Sequence, residues 1–199
     1  MKNYLKFPLP TTASWFRLPE RVQALEDAPA PTPFELPYKV YTALLIQSGG
    51  GNTIGISSGP LTKGITYKIQ NPGGDFSNVG APNNDPETYF VAINNDAPLS
   101  YGGSALLYNT GAPVATVLEN TIGNIWFSYT AEGAYGVNSN SLFPGGKVYG
   151  NISQQGGYNV GIELGGGGSD SDRQISTYDN GVLANNLLGV NAIEIRVYS

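Results

Sequence analysis

Between Ile125 and Thr130 the side chains divide between two faces with a period of two. Val114–Leu118 and Ile125–Tyr129 are two runs rich in β-branched and aromatic residues, and the Asn, Thr and Gly of residues 120–124 suit a hairpin-like connection between them. In the second run Ile125, Phe127 and Tyr129 share one face while Trp126, Ser128 and Thr130 share the other, as in a sheet with one buried side. Residues 38–47 (YKVYTALLIQ) place Val40, Thr42, Leu44 and Ile46 on one face and Tyr41, Ala43 and Leu45 on the other. Apolar groups on both sides predict a central strand.

The rest of the chain beyond residue 37 follows the same pattern in shorter pieces. Residues 53–109 hold strands around Ile54, 65–70, 88–94 and 105–108, separated by GP, NPGG, APNNDP and NDAP turns, and signal no helix. Further strands are predicted at 133–138, 147–153, 159–164 and 173–178, and in residues 191–199 Ile193, Ile195 and Val197 oppose Glu194, Arg196 and Tyr198. The echo of NVGAP (78–82) in NTGAP (109–113) is reused turn chemistry, since nothing between the two keeps register. The glycine-rich loop GGGGSDSD at 165–172 reads as an exposed, flexible tip. Together these runs predict an all-β chain, an antiparallel β-sandwich of jelly-roll or Ig-like type over residues 38–199, with 53–109 as an inserted β module.

Residues 1–37 differ in kind. Seven of the 14 prolines fall here and none of the 27 glycines does, the first being Gly49. The segment predicts an extended, Pro-rich N-terminal arm with at most one short helix, capped by Ser14, and APAPTPFELP running extended after it. A helix of two or three turns is marginal alone in water and needs something to pack on. The arm's apolar anchors, Tyr4, Phe7, Trp15, Phe16, Leu25 and Phe34, are expected to bind a neighbouring subunit, the alternative being that the arm folds back over its own domain.

Charge and composition narrow the function. With 10 Lys and Arg against 15 Asp and Glu, the chain offers no electrostatic support for tracking nucleic-acid phosphates. It has no cysteine and no histidine, which removes thiol nucleophiles, imidazole bases, Ser-His-Asp triads and Cys- or His-ligated metals. Pro8 and Pro10 interrupt the N-terminus before any apolar signal region, and no apolar run approaches the roughly 20 residues of a membrane span. The expectation is a non-enzymatic chain made in the cytoplasm, with no cofactor and no resident metal.

Two loops carry the remaining candidate chemistry. Asp170 and Asp172, with Asp179 nearby, resemble a calcium loop but lack the later glutamate of an EF-hand, so a solvated loop is the expected reading. Asn84 and Asp85 lie in the second exposed loop and, with Asp170 and Asp172, form a candidate surface for a host glycan. Scattered carboxylates such as Asp75, Glu87, Glu119 and Glu163 would be needed for a polysaccharide depolymerase, and nothing in their spacing selects a pair. Trp126, on the face opposite Ile125 and Phe127, is expected either in a second core layer or subunit interface, or displayed as a ligand platform.

Three stretches, PYKVYTALLIQSG (37–49), GAPVATVLENTIGNIWFSY (111–129) and ISTYDNGVLANNLLGVNAIEIRVYS (175–199), resemble a β module of tailed-phage and environmental-virus structural proteins, and residues 64–82 look like an insertion recurrent in them. The resemblance brackets most of the β domain and leaves the arm outside. It implies virion assembly without saying which part of the virion, and with the arm taken as an anchor the expectation is a homo-oligomeric structural protein held to capsid or tail proteins as a decoration, auxiliary or head-fibre protein. The alternative it leaves open is a tail or fibre receptor-binding module.

Overall fold

The computed structural model describes residues 36–154, 160–166 and 169–199. The arm anchors Tyr4, Phe7, Trp15, Phe16, Leu25 and Phe34, and the expected short helix, lie outside the described residues. Thirteen antiparallel-paired strands and a single 3₁₀ turn (Ser77–Val79) make up the regular structure described. In chain order the strands are β1 (Tyr38–Ile46), β2 (Thr53–Ile56), β3 (Thr66–Ile69), β4 (Tyr89–Val91), β5 (Leu106–Asn109), β6 (Val114–Asn120) and β7 (Ile125–Ala131). They continue with β8 (Ala134–Ser139), β9 (Val148–Ile152), β10 (Val160–Gly166), β11 (Asp172–Asp179), β12 (Val182–Leu183) and β13 (Gly189–Tyr198).

Two sheets form a sandwich. One has the order β6-β1-β13-β9 and the other β10-β11-β8-β7, with β12 added to β11. The period-two faces meet between them: Tyr41, Ala43 and Leu45 of β1 with Ile193 and Ile195 of β13 on one side, Phe127 of β7, Tyr135 and Val137 of β8 and Ile175 of β11 on the other. All of these are essentially inaccessible to solvent. Burial of a large apolar side chain is worth about 1.5–3 kcal/mol, so this layer holds the fold together. β1 is central, as its pattern predicts, pairing with β13 from Tyr38↔Tyr198 and with β6 as far as Ile46↔Val114.

One expectation is corrected, the hairpin between residues 114–118 and 125–129: β6 pairs with β1 in one sheet, and β7 pairs with β8 in the other. The connection is a crossover between layers. Asn120 Oδ1 accepts from the N–H groups of Ile122 and Gly123, while Thr121 donates its N–H to Val40 O at 2.8 Å and its Oγ1 accepts from Val40 N at 2.7 Å. Those bonds keep the chain on β1 for one residue more and then turn it over the sandwich edge. The tip expected at 165–172 is exposed at Gly165, Ser169 and Asp170, while strands occupy its two ends. Gly165 and Gly166 continue β10, opposite Gln174 and Arg173, and β11 already begins at Asp172, because backbone pairing needs no side chain.

The stretch between β1 and β6 carries a third sheet, β2-β5-β3-β4, over its own core of Leu61, Tyr67, Ile69, Phe76, Val79, Phe90, Ala92 and Leu106. This sheet packs beside β6 and β7, which are the edge strands of the two sandwich sheets on the same side. It satisfies their open edge groups. Ala115 N donates to Gly64 O at 2.9 Å, and Phe127 N to Thr66 Oγ1 at 3.1 Å. An exposed edge is a template for unwanted pairing, and this arrangement removes one. Gly64 reaches β6 with a φ of +86°, and a Cβ there would lie 2.6 Å from Ala115 O, so only glycine fits. Among the described residues no helix is long and apolar enough to cross a membrane.

Candidate functional site

Covering an edge with a separately packed sheet leaves seams, and two clefts open along this one. The larger encloses about 490 Å³. Its far wall is aliphatic, formed by Val91 of β4 and Ile93 just beyond it. Its near wall is Ala115 and Val117 of β6 with Ile125 of β7, and Asn120 and Asn124 of the crossover close one end. Tyr41 lines it from inside the sandwich and Lys63 from outside.

Tyr41 is the unusual member. Its residue is 1% exposed, its ring lies 6.3 Å from that of Phe127, and its hydroxyl is buried with no hydrogen-bond partner. Buried hydroxyls almost always find partners, so an orphaned one is informative. Burial pushes the phenol far above its ordinary pKa, since no neighbour stabilises the phenolate. The group is therefore a neutral donor without an acceptor. Around it the remaining polarity is sparse. Asn120 spends its amide on the crossover turn, Asn124 Nδ2 donates to Tyr89 O at 2.7 Å, and Lys63 is the single charged residue of the lining.

The second cleft, of about 330 Å³, lies on the same seam between Thr66, Lys68, Tyr89, Tyr108 and Phe127. Its one charged group is already paired. Lys68 Nζ is 2.6 Å from Glu87 Oε2 and 5.6 Å from the centre of the Tyr89 ring, and that hydrogen bond to Glu87 is the main reason its pKa is raised. Tyr89 in turn stacks on Trp126, with centroids 5.4 Å apart and planes 9° from parallel. Trp126 thus joins the third sheet to the sandwich, half-buried, and belongs to neither core cluster.

The four loop residues picked from the sequence have structural partners. Asn84 Oδ1 accepts from Phe76 N at 2.8 Å, and its amide reaches Asp75, whose carboxyl is held below its usual range by the Ser77 hydroxyl and N–H and by Asn84 itself. Asp85 lies in the turn that follows, its N–H donating to Asn83 Oδ1 and its carbonyl accepting from Thr88 N. Asp172 Oδ1 accepts from the N–H and hydroxyl of Ser169, and Asp170 contributes its carbonyl to Phe143 N. The two pairs sit apart, one in the third sheet and one where the β10–β11 connection enters β11. Among the described residues no three acidic groups converge to hold a metal ion.

Sequence reasoning passed over Tyr41 and Lys63. The signal for Tyr41 was present: it is the one residue with a hydroxyl on the inward face it shares with Ala43 and Leu45. No local signal marks Lys63, which reaches the cleft only because the third sheet folds back along β6. A buried network on the far side of the sandwich was missed too. Gln47 Oε1 accepts from Tyr135 Oη at 2.9 Å and from Asn186 N at 2.6 Å, and Asn185 Oδ1 accepts from Gly133 N at 3.0 Å. Comparison with known proteins returned no matching family model, no matching curated protein and no matching solved structure.

Proposed function

We propose that the chain is a structural protein of a phage virion, a sandwich displayed on the particle and anchored through residues 1–37 to the capsid or to neighbouring copies. The virion assignment rests on the three stretches that resemble phage and environmental-virus structural proteins. The observation that carries the anchoring is the position of the chain exits. Tyr38 pairs with Tyr198, and Ser199 N donates to Pro37 O at 3.4 Å. Whatever precedes residue 36 or follows residue 199 leaves the domain at that one pole.

The loops divide accordingly. Ser139 N donates to Ser171 O at 2.7 Å, and Leu142 lines a groove with Lys39, Val197 and Ser199, so the loop bearing Asp170 and Asp172 lies at the exit pole. At the opposite pole are Gln47–Gly50, the β7–β8 turn and residues 184–188, tied together by the Gln47 network and by Gly49 N donating to Asn186 Oδ1. Display outward from an anchored arm would present that second group. An arm burying about 800 Å² on its partner would form an interface of standard size, and repetition over a lattice would add avidity.

The test is cryo-electron microscopy of purified particles, with and without deletion of residues 1–34. Copies spread over the capsid, lost on deletion while the domain stays folded, support the proposal. Retained incorporation overturns the anchoring role, and copies confined to the tail replace decoration with host adsorption.

A further inference from the structure

We infer that the outer face of the sheet β6-β1-β13-β9 receives the arm of a second copy, taking its acidic, proline-rich run, residues 26–34, across Tyr38, Tyr149 and Tyr198. This rests on the reading of the arm as an anchor and names the surface that holds it.

The side chains that β1 turns away from the core share this face with those of β13 and β9. Tyr38 pairs with Tyr198, their rings 5.4 Å apart, and Lys147 flanks Tyr198 on its other side, its carbonyl accepting from Tyr198 N at 2.9 Å. The next row is Val40, Arg196 and Tyr149, and the one after it Thr42, Glu194 and Asn151. Arg196 stands between two rings, 4.8 Å from the centre of Tyr38 and 5.8 Å from that of Tyr149. Further along, a shallow groove of about 340 Å³ opens between Leu118, which is 63% exposed, and Asn151 and Ser153. Exposed rings beside an apolar groove mark a contact surface for another chain.

The chemistry of the face selects that chain. A proline-rich run offers ring surface and free carbonyls but few N–H donors, and it is extended before it binds, so aromatic surfaces that also donate hydrogen bonds recognise it. Tyrosine hydroxyls and the Asn151 amide are such donors. This protein carries such a run itself: residues 28–33 read APAPTP, with Glu26 and Asp27 before them and Phe34 after. Charge sets its direction. Lys147, exposed and in no ion pair among the described residues, stands with Arg196 at the tyrosine end, while Glu194 and Glu119 flank Thr42 further along. Glu26 and Asp27 therefore belong beside Lys147. Spacing agrees with this. Asp27 and Phe34 lie about 22 Å apart in a polyproline helix, and Lys147 and Ser153 about 20 Å apart along an extended strand, which brings Phe34 to the groove beside Leu118.

The same polarity assigns the arm to another molecule. A chain folding back from Tyr38 over its own face would lay Phe34 nearest the tyrosines and carry Glu26 and Asp27 toward Glu194 and Glu119. It would also have to reverse within FELP at 34–37, which holds no glycine and whose Pro37 restricts the residue before it.

The experiment is sedimentation velocity of the full-length protein over a range of concentrations, with one variant on each side of the contact. The face variant is Tyr149→Ser with Leu118→Ser, and the arm variant is Pro31→Gly with Phe34→Ser. The wild type should self-associate, and each variant alone should do so about tenfold more weakly, as loss of an interface anchor commonly causes. Mixed in equal amounts, the two should associate more tightly than either alone, because the intact face of one accepts the intact arm of the other. Lys147→Glu should weaken association, and Glu26→Lys with Asp27→Lys in the same chain should restore it. The substituted face residues are exposed, so the fold is kept, and far-UV circular dichroism checks this. A wild type that stays monomeric, as it would with the arm on its own domain, variants that associate like the wild type, or a mixture no tighter than its parts would each overturn the assignment. Particle incorporation is a separate readout: copies that join the capsid without associating in solution would sustain the virion proposal and defeat this one.

Discussion

Replacing Tyr41 by Phe should make the protein more stable. The substitution removes one oxygen and keeps the ring against Phe127 and the sandwich core. In the unfolded chain the phenol is hydrated; in the folded domain it is 1% exposed and has no partner. Burying a hydroxyl without a compensating hydrogen bond costs about 1–3 kcal/mol by protein mutational data. Against this, the oxygen's own van der Waals contacts are worth about 0.1–0.2 kcal/mol each, a few tenths in all. The net expectation is a gain of about 1–2 kcal/mol, which for a domain of this size raises Tm by roughly 2–8 °C. Urea denaturation followed by far-UV circular dichroism reads it as a higher midpoint with an unchanged slope. A variant equal to or weaker than the wild type refutes the reasoning, because it would mean that the phenol is hydrogen-bonded in the resting protein, with ordered water the obvious partner.

Other perturbations test the seam and the core. Gly64→Ala places a Cβ against Ala115 O at a φ of +86° and should destabilise the domain by about 2–4 kcal/mol, read as a lower urea midpoint; a change under 0.5 kcal/mol would show that the third sheet does not sit against β6 as described. Thr66→Val leaves Phe127 N–H unpaired at a dry edge and should cost about 1–3 kcal/mol, with faster amide exchange at Phe127 as the direct check. Alkaline titration should show stability falling as pH rises above about 10. Burial raises the pKa of Tyr41, Tyr67, Tyr101 and Tyr135, so the folded state holds protons that the unfolded chain has released, and the loss continues until the folded groups ionise. In Tyr41→Phe that fall should be shallower by about 1.4 kcal/mol per pH unit, and an identical slope would contradict the assigned burial.

The alternation of side chains was enough to predict an all-β chain, the central place of β1 and the inward faces of β7 and β13, because a period of two commits every second residue to one side of a sheet. Turn chemistry marked where strands end, and the composition removed whole classes of catalytic machinery. Which strands pair could not be read in this way. Residues 114–118 and 125–129 look like a hairpin because local signals describe a turn at Asn120–Asn124 equally well whether the chain folds back or crosses to another sheet. Only the competition between pairing with β1 and burying Phe127 against it decides. The cleft is tertiary in the same sense: Tyr41, Lys63 and Ile93 stand far apart in sequence and meet because the third sheet covers the edge formed by β6 and β7. Even the orphaned phenol is a property of the assembly, since a tyrosine on an inward face ordinarily finds an acceptor. Here the packing leaves it buried without a partner.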